Sequence, residues 1–187
     1  MDGQNWIVTA EGDCEPLDCE EFIPKGHPPY RFYRFLTDLD DVLDAYSDDV
    51  ERLRRIAPKV RRVMEDSYWL QLEYKQPHPQ RGWSVSMLYD EPGYPLTVQM
   101  VAWSPQQLST IHNHATWGLV LLLDGEEKNT FWRQTGDAAT SSHIERVGDC
   151  VLSPGDLICF VPEAIQQQNQ SPSRMVMNGR KLLGTPG

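Results

Sequence analysis

The second half of the chain is divided into short apolar segments by closely spaced turn signals. Segments this short, rich in β-branched and aromatic residues and separated by Gly, Pro and Asp, predict the strands of a sandwich or barrel. The signals are Asp90-Glu91-Pro92-Gly93, Asp124-Gly125, Thr135-Gly136-Asp137 and Ser153-Pro154-Gly155-Asp156. The predicted strands cover about 83–89, 96–103, 117–123, 127–133, 144–147, 150–152, 157–161 and 175–183, with a short earlier strand at 6–9.

The region before residue 67 shows helical rather than alternating periodicity. Thr37 is the expected N-cap of a first helix, and a second helix is expected from about Asp48 to Glu65. Pro58 should split this second helix or open a new one, because proline lacks the N–H that a helix interior uses. We therefore predict a mainly β, α+β protein, with an N-terminal arm and helical subdomain over 1–66 and a β-barrel over 67–187 that form one folding unit.

Composition excludes several classes of partner. The formal net charge of −10 argues against nucleic acid, since phosphate binding rests on a basic surface. No apolar segment approaches the length of a membrane span, and the first residues do not form a secretory signal, so we expect a cytoplasmic protein. The four cysteines are too few and too scattered for a disulfide scaffold, and Cys150 and Cys159 fall on predicted strands, where a thiol usually acts as a small hydrophobe. A monomer, or a homodimer paired through an exposed strand, is expected.

A His-Asn-His triplet precedes one of the apolar runs. On a strand, His112 and His114 would project from the same face, about 6–7 Å apart along the chain direction. Two imidazoles placed in this way can share one metal ion. The triplet at 112–114, followed by Trp117-Gly118 and the run Leu119 to Leu123, therefore predicts a metal-ligand pair on the barrel.

A longer set of motifs resembles the bacterial branch of the cysteine dioxygenase family, thiol dioxygenases of the cupin superfamily. The resemblance runs from about Phe35 to Asn169. It is carried by Trp69-Leu70, Tyr74, Gln76-Pro77-His78-Pro79, Leu88-Tyr89-Asp90, Val101-Ala102-Trp103, Ile111-His112-Asn113-His114, Trp117-Gly118, Asp124-Gly125-Glu126-Glu127 and Pro154-Gly155-Asp156. It implies a cupin-type double-stranded β-helix, or jelly-roll, barrel. Gly118 stands where the bacterial members have glycine and the animal members have a crosslinked cysteine.

The resemblance also implies a chemistry. Family members bind Fe(II) through three neutral histidines, which favours anionic ligands such as a thiolate, and both atoms of O₂ go to sulfur to give a sulfinic acid. By this resemblance the protein would be an oxidoreductase that uses Fe(II), or another divalent metal, and a small carboxylate-bearing thiol such as cysteine or 3-mercaptopropionate. His112 and His114 would be the first two ligands.

The third ligand is where the chain departs from the family pattern. The segment after Pro162 contains no histidine. Depending on where a gap is placed, the position of the family histidine is occupied by Gln166 or is missing between Ile165 and Gln166. An amide oxygen is a weaker ligand than imidazole, but it completes the predicted metal set of His112, His114 and Gln166. Glu163, a water molecule in place of a protein ligand, and His143 remain alternatives.

The substrate-orienting residues of the family are not matched either, so catalytic residues are unknown at this stage. Ser86 aligns with the carboxylate-binding arginine of animal members, and 174–178 lacks the histidine and tyrosine of the bacterial ones. Arg133, Arg174 or Arg180 could supply a carboxylate fork instead. Three functions stay open: a thiol dioxygenase, a non-catalytic cupin that binds or senses a small molecule, and a cupin isomerase or hydrolase with another metal.

Overall fold

The computed structural model describes residues 3–19, 28–67, 69–70, 76–105, 107–136, 143–169 and 173–179. Two helices precede most of the strands. The helices are α1 (Phe32–Ala45) and α2 (Asp49–Asp66). The strands are β1 (Asn5–Val8), β2 (Cys14–Pro16), β3 (Trp83–Asp90), β4 (Leu96–Trp103), β5 (Gly118–Asp124), β6 (Glu127–Thr135), β7 (His143–Leu152), β8 (Leu157–Phe160), β9 (Ile165–Asn169) and β10 (Ser173–Gly179).

The strands form two sheets whose order is that of a jelly roll. The larger sheet runs β2-β1-β8-β5-β10-β4-β3, and the smaller runs β7-β6-β9. Single bridges from Leu108 to Asn169 and from His112 to Gln166 place a fourth segment beside β9. Each sheet thus combines strands from distant parts of the chain, because successive barrel strands cross between the sheets. The predicted mainly β jelly roll with two helices is confirmed.

The central strands of the larger sheet are buried on both faces, which explains the unbroken apolar run of β5. Leu119 and Leu121 point to a first core shared with the two helices, whereas Val120 and Leu122 point to a second core between the sheets. A strand covered on both sides needs apolar residues at every position. The run that precedes Asp124 is therefore a consequence of helix packing on the outer face of this sheet.

Both helices differ from the sequence prediction at one point. Helix α1 begins at Phe32, five residues before Thr37, whose hydroxyl donates to the Tyr33 carbonyl inside the helix at 3.1 Å. Asp48 is the N-cap of helix α2, and its carboxylate accepts the Glu51 N–H at 2.8 Å. The helix then continues without interruption through Pro58 to Asp66, whereas the sequence predicted a break at Pro58. Burial of residues on both sides of Pro58 holds the helix together: Leu53, Ile56, Ala57, Val60, Val63 and Met64.

The N-terminal arm contributes to the larger sheet. Strand β1 pairs in parallel with β8 and antiparallel with β2. The division of the chain at 66/67 stays a prediction, although β1 itself is hydrogen-bonded to the barrel. Neither helix in the described ranges is long and apolar enough to cross a bilayer.

Candidate metal and ligand site

A cavity of about 480 Å³ opens between the two sheets. The larger sheet provides one wall through β3, β4, β5 and β10, and the 108–114 segment with β9 provides the other. Its apolar lining includes Trp83, Val101, Trp103, Val120 and Val176, while His112, His114, Gln168, Arg174 and Asn178 add polar groups. The cavity is the right size for a small organic ligand.

The two predicted histidines both line this cavity, although their segment is not a regular strand. Their ring centroids lie 5.1 Å apart, with the planes tilted by 57°. The His112 Nδ1 lies 2.8 Å from the Thr110 carbonyl oxygen. Because a carbonyl only accepts, Nδ1 donates this hydrogen bond, which is the arrangement that second-shell acceptors impose on histidines that ligate through Nε2.

Gln166, which the sequence analysis predicted as the third metal ligand, lies beside this pair of histidines. Its backbone exchanges both hydrogen bonds with His112, at 3.0 and 2.8 Å, and its side chain is fully buried. The amide Nε2 lies 2.7 Å from His114 Nε2, so the amide donates to the imidazole. Within the part of the chain that the structure describes, its buried Oε1 has no hydrogen-bond partner.

Burial keeps the second imidazole neutral. The His114 ring stacks on Phe160, with centroids 6.0 Å apart and planes inclined by 21°. Desolvation, followed by the nearby His112 and Arg174, lowers the pKa of His114 from 6.5 to about 4. At neutral pH the ring therefore presents a lone pair rather than a positive charge.

A buried ion pair lies beside the cavity. Arg174 Nη1 lies 2.5 Å from Glu127 Oε2, and Glu127 Oε1 accepts from Asn129 at 3.1 Å. Arg174 on β10 and Glu127 on β6 belong to different sheets, so this pair joins the two sheets. The guanidinium carbon also lies 5.7 Å from the centroid of the Trp103 ring. Pairing of this kind is what allows two charged groups to be buried.

Three cavity-lining side chains have polar atoms that the described residues leave unsatisfied. The buried atoms are Arg174 Nε, Trp103 Nε1 and Asn178 Oδ1. Two are donors and one is an acceptor. Buried polar atoms are normally paired, so these three atoms are groups beside the cavity that a polar ligand could satisfy.

The donor set of His112, His114 and Gln166 fits a divalent cation. It offers two neutral imidazole nitrogens and, after a half-turn of the terminal amide, the unpartnered Gln166 oxygen. Among the described residues there is no group of three His, Cys, Asp or Glu side chains able to hold a metal. The choice of His112, His114 and Gln166 as ligands stays a prediction.

The other candidate metal ligands lie outside the cavity. Glu163 is exposed in the turn before β9, and His143 is exposed at the start of β7, so neither lines the cavity. Arg133 is exposed and pairs with Glu145 on β7. Of the three arginines considered, Arg174 is the one that lines the cavity, and Arg180 lies outside the described residues, as does His27.

Sequence reasoning missed the roles of Glu127 and Asn178. Strand periodicity could have found Glu127, because it shares its inward face with Asn129 and Phe131 on β6. A carboxylate at an inward position of an otherwise buried face is a signal that a cation lies opposite. Nothing local distinguishes Asn178, whose position depends on the pairing of β10 with β5.

Comparison with solved structures shows likeness to cupins. An RmlC-like cupin from Shewanella frigidimarina matches 60% of this chain and 88% of its own at 12% identity, with a TM-score of 0.41. A cupin superfamily protein from Desulfitobacterium hafniense matches 59% of this chain and 86% of its own at 12% identity, with a TM-score of 0.43. An oxalate oxidase in complex with glycolate matches 58% of this chain and 56% of its own at 13% identity, with a TM-score of 0.41. No protein-family model matches the chain. The class defined by the fold is a jelly roll of two sheets, and these distant likenesses carry no conclusion about activity.

Proposed function

We propose that this protein is an iron-dependent thiol dioxygenase that oxidises a small carboxylate-bearing thiol to a sulfinic acid. The observation that carries the proposal is the common cavity lined by His112, His114 and Arg174. The two imidazoles would bind the metal there, and the guanidinium would bind the carboxylate. In the overall reaction, one thiol and one O₂ give one sulfinic acid, with no other reductant. Cysteine and 3-mercaptopropionate both carry the two groups required, and the resemblance of the sequence to the cysteine dioxygenase family supports this choice.

The chain's own residues would bind and orient the substrate. Iron held by His112, His114 and Gln166 would supply the redox chemistry between thiol and O₂. Arg174 Nε and Trp103 Nε1 are buried donors without described partners, and they would receive the substrate carboxylate. The pair with Glu127 fixes the guanidinium in place, and the surrounding valines exclude water from the sulfur.

Charge balance is consistent with this ligand class. Arg174 is already neutralised by Glu127, and the proposed metal ligands carry no charge. A dication bound in the cavity would therefore be compensated by two anionic groups, which a thiolate and a carboxylate provide. Without the dication, a carboxylate would leave the buried site with an excess negative charge, so we expect carboxylate binding to depend on the metal.

The first test is an anaerobic Fe(II) titration followed by measurement of thiol-dependent O₂ consumption. We expect about one iron per chain, as a single site of this kind requires, and equal consumption of thiol and O₂. Gln166→His should strengthen iron binding on the order of tenfold or more, because imidazole is the better ligand. Gln167→His is the matched control, since residue 167 faces away from residue 166 on β9. Failure of both the wild type and Gln166→His to retain iron or oxidise any thiol would overturn the proposal.

A second candidate function is a non-catalytic cupin that binds or senses a small molecule. The hydrogen bond of 2.7 Å between Gln166 and His114 favours it, because this contact satisfies the imidazole without a cation. Saturable binding of a ligand by metal-free protein, with no O₂ consumption after iron is added, would select this function. Turnover of any thiol would exclude it.

A further inference from the structure

Two free thiols lie where the edges of the two sheets meet. Cys14 is on β2, the edge strand of the larger sheet, and Cys150 is on β7, the edge strand of the smaller sheet. Both are half-buried, and both pack against the core between the sheets. Strand β2 also contacts β7 directly. The fold therefore brings together two cysteines that are far apart in the sequence.

The backbone around Cys14 is held close to β7. The turn before β2 contains Gly12 at φ +83°, and a Cβ built there would lie 3.1 Å from both the Trp132 carbonyl oxygen and the Val147 Cγ2. In addition, the Thr9 carbonyl accepts the Gly12 N–H at 3.1 Å, and the Asp13 carbonyl accepts the Thr9 N–H at 3.0 Å. This close packing fixes the start of β2 against β6 and β7.

The two side chains are neighbours across the sheet edges, because each thiol changes the pKa of the other: that of Cys14 is raised and that of Cys150 is lowered. We propose that Cys14 and Cys150 form a reversible disulfide when the protein reacts with a peroxide, and that this bond crosslinks the two sheets. One peroxide takes two electrons from the two thiols. The products of the reaction are one disulfide bond and two water molecules.

The order of the two steps follows from the different environments of the two thiols. Interaction with Cys14 lowers the pKa of Cys150, while interaction with Cys150 and burial raise the pKa of Cys14. The Cys150 thiolate therefore attacks a peroxide oxygen and becomes a sulfenic acid, releasing hydroxide. Cys14 then attacks the Cys150 sulfur. Its proton and the departing hydroxide form water as the disulfide closes.

The proposed Cys14–Cys150 crosslink lies at the edge of the sandwich, away from the metal and ligand cavity. That cavity is lined from β3, β4, β5, β10 and β9, and neither β2 nor β7 contributes a described lining residue. Oxidation should therefore change stability rather than occupancy of the cavity. A bond that closes a loop of more than a hundred residues raises the melting temperature by restricting the unfolded chain.

The experiment treats reduced full-length protein with an equimolar amount of hydrogen peroxide, blocks the remaining thiols under denaturing conditions and maps the peptides. We expect loss of about two mass units, a crosslinked peptide containing Cys14 and Cys150, and its disappearance with dithiothreitol. The melting temperature should rise by several degrees on oxidation. A different cysteine pair, separate oxidation of the two sulfurs, or a fall in melting temperature would overturn the proposal.

Three variants sharpen the result. Cys14→Ser should block the crosslink and accumulate a sulfenic acid at Cys150, which a cyclic 1,3-diketone traps. Cys150→Ser should block the crosslink and leave Cys14 slow to react. Cys19→Ser is the control, because the half-buried Cys19 belongs to the first core and its loss should leave the crosslink unchanged. A crosslink that survives Cys14→Ser would contradict the assignment.

Discussion

The two hydrophobic cores differ in their treatment of polar groups. In the described residues, the core between the helices and the larger sheet consists of apolar side chains with Tyr30, and Ser67 is the only buried polar residue near it. The barrel interior instead buries Glu127, Asn129, Gln166, Gln168 and Arg174. Burial of polar groups opposes folding unless they are paired. The first core therefore supplies stability, whereas the barrel interior carries the groups that can recognise a ligand.

The largest effect should come from the first core. Phe35 is fully buried between the rings of Tyr30 and Phe32, at centroid distances of 6.3 and 5.8 Å. Phe35→Ala should lower the free energy of unfolding by about 4 kcal/mol in urea titrations, while Phe35→Leu should lower it by about 1 kcal/mol. Iron affinity of the folded fraction should not change in either variant. Loss of iron affinity in proportion to stability would show that the two cores are not separate in function.

The second largest effect tests the buried ion pair. Arg174→Met leaves the Glu127 carboxylate buried without its partner and should cost about 3 kcal/mol of unfolding free energy. The double variant Arg174→Met/Glu127→Leu should recover most of that loss, because no charge remains buried. Metal-dependent binding of 3-mercaptopropionate, measured by calorimetry, should be absent from both. A double variant that regained stability and still bound the carboxylate would contradict the role given to Arg174.

An intermediate effect concerns pH. The pKa of His114 is about 4 in the folded protein and 6.5 ordinarily, so between these values the unfolded chain binds more protons. In metal-free protein this contribution is constant above about pH 6.5, and stability falls as pH drops towards 4, by about 3 kcal/mol. Subtracting the unfolding curves of His114→Gln from those of the wild type isolates it. The same pH slope in both proteins would refute the burial of a neutral imidazole.

The smallest effect concerns one close contact beside the cavity. A Cβ on Gly118 would lie 2.8 Å from Asn178 Oδ1, so Gly118→Ala should push the amide aside and cost about 1 kcal/mol. Adding Asn178→Ala should relieve the clash and restore most of the stability in thermal melts. If the single variant were as stable as the wild type, Asn178 would not be held in this position.

The strands were predictable because turn residues and side-chain alternation are local signals. Strand β9 was not predicted as a strand, since its residues from Ile165 to Asn169 are mostly polar. Their polarity has a structural reason: Gln166 and Gln168 are buried beside the cavity, and Gln168 lines it. The long helix through Pro58 was also missed, because packing on one face outweighed the lost hydrogen bond.

The sequence by itself determined the mainly β class, the two helices and a pair of histidines able to meet on one surface. Tertiary structure alone decided which polar residues meet that pair. Gln166 lies 52 residues from His114, and Arg174 lies 47 residues from Glu127. Such encounters depend on the register of paired strands, and a slip of one residue would turn each side chain to the opposite face. Local patterns carry no information about that register until the whole jelly roll has closed around its two cores.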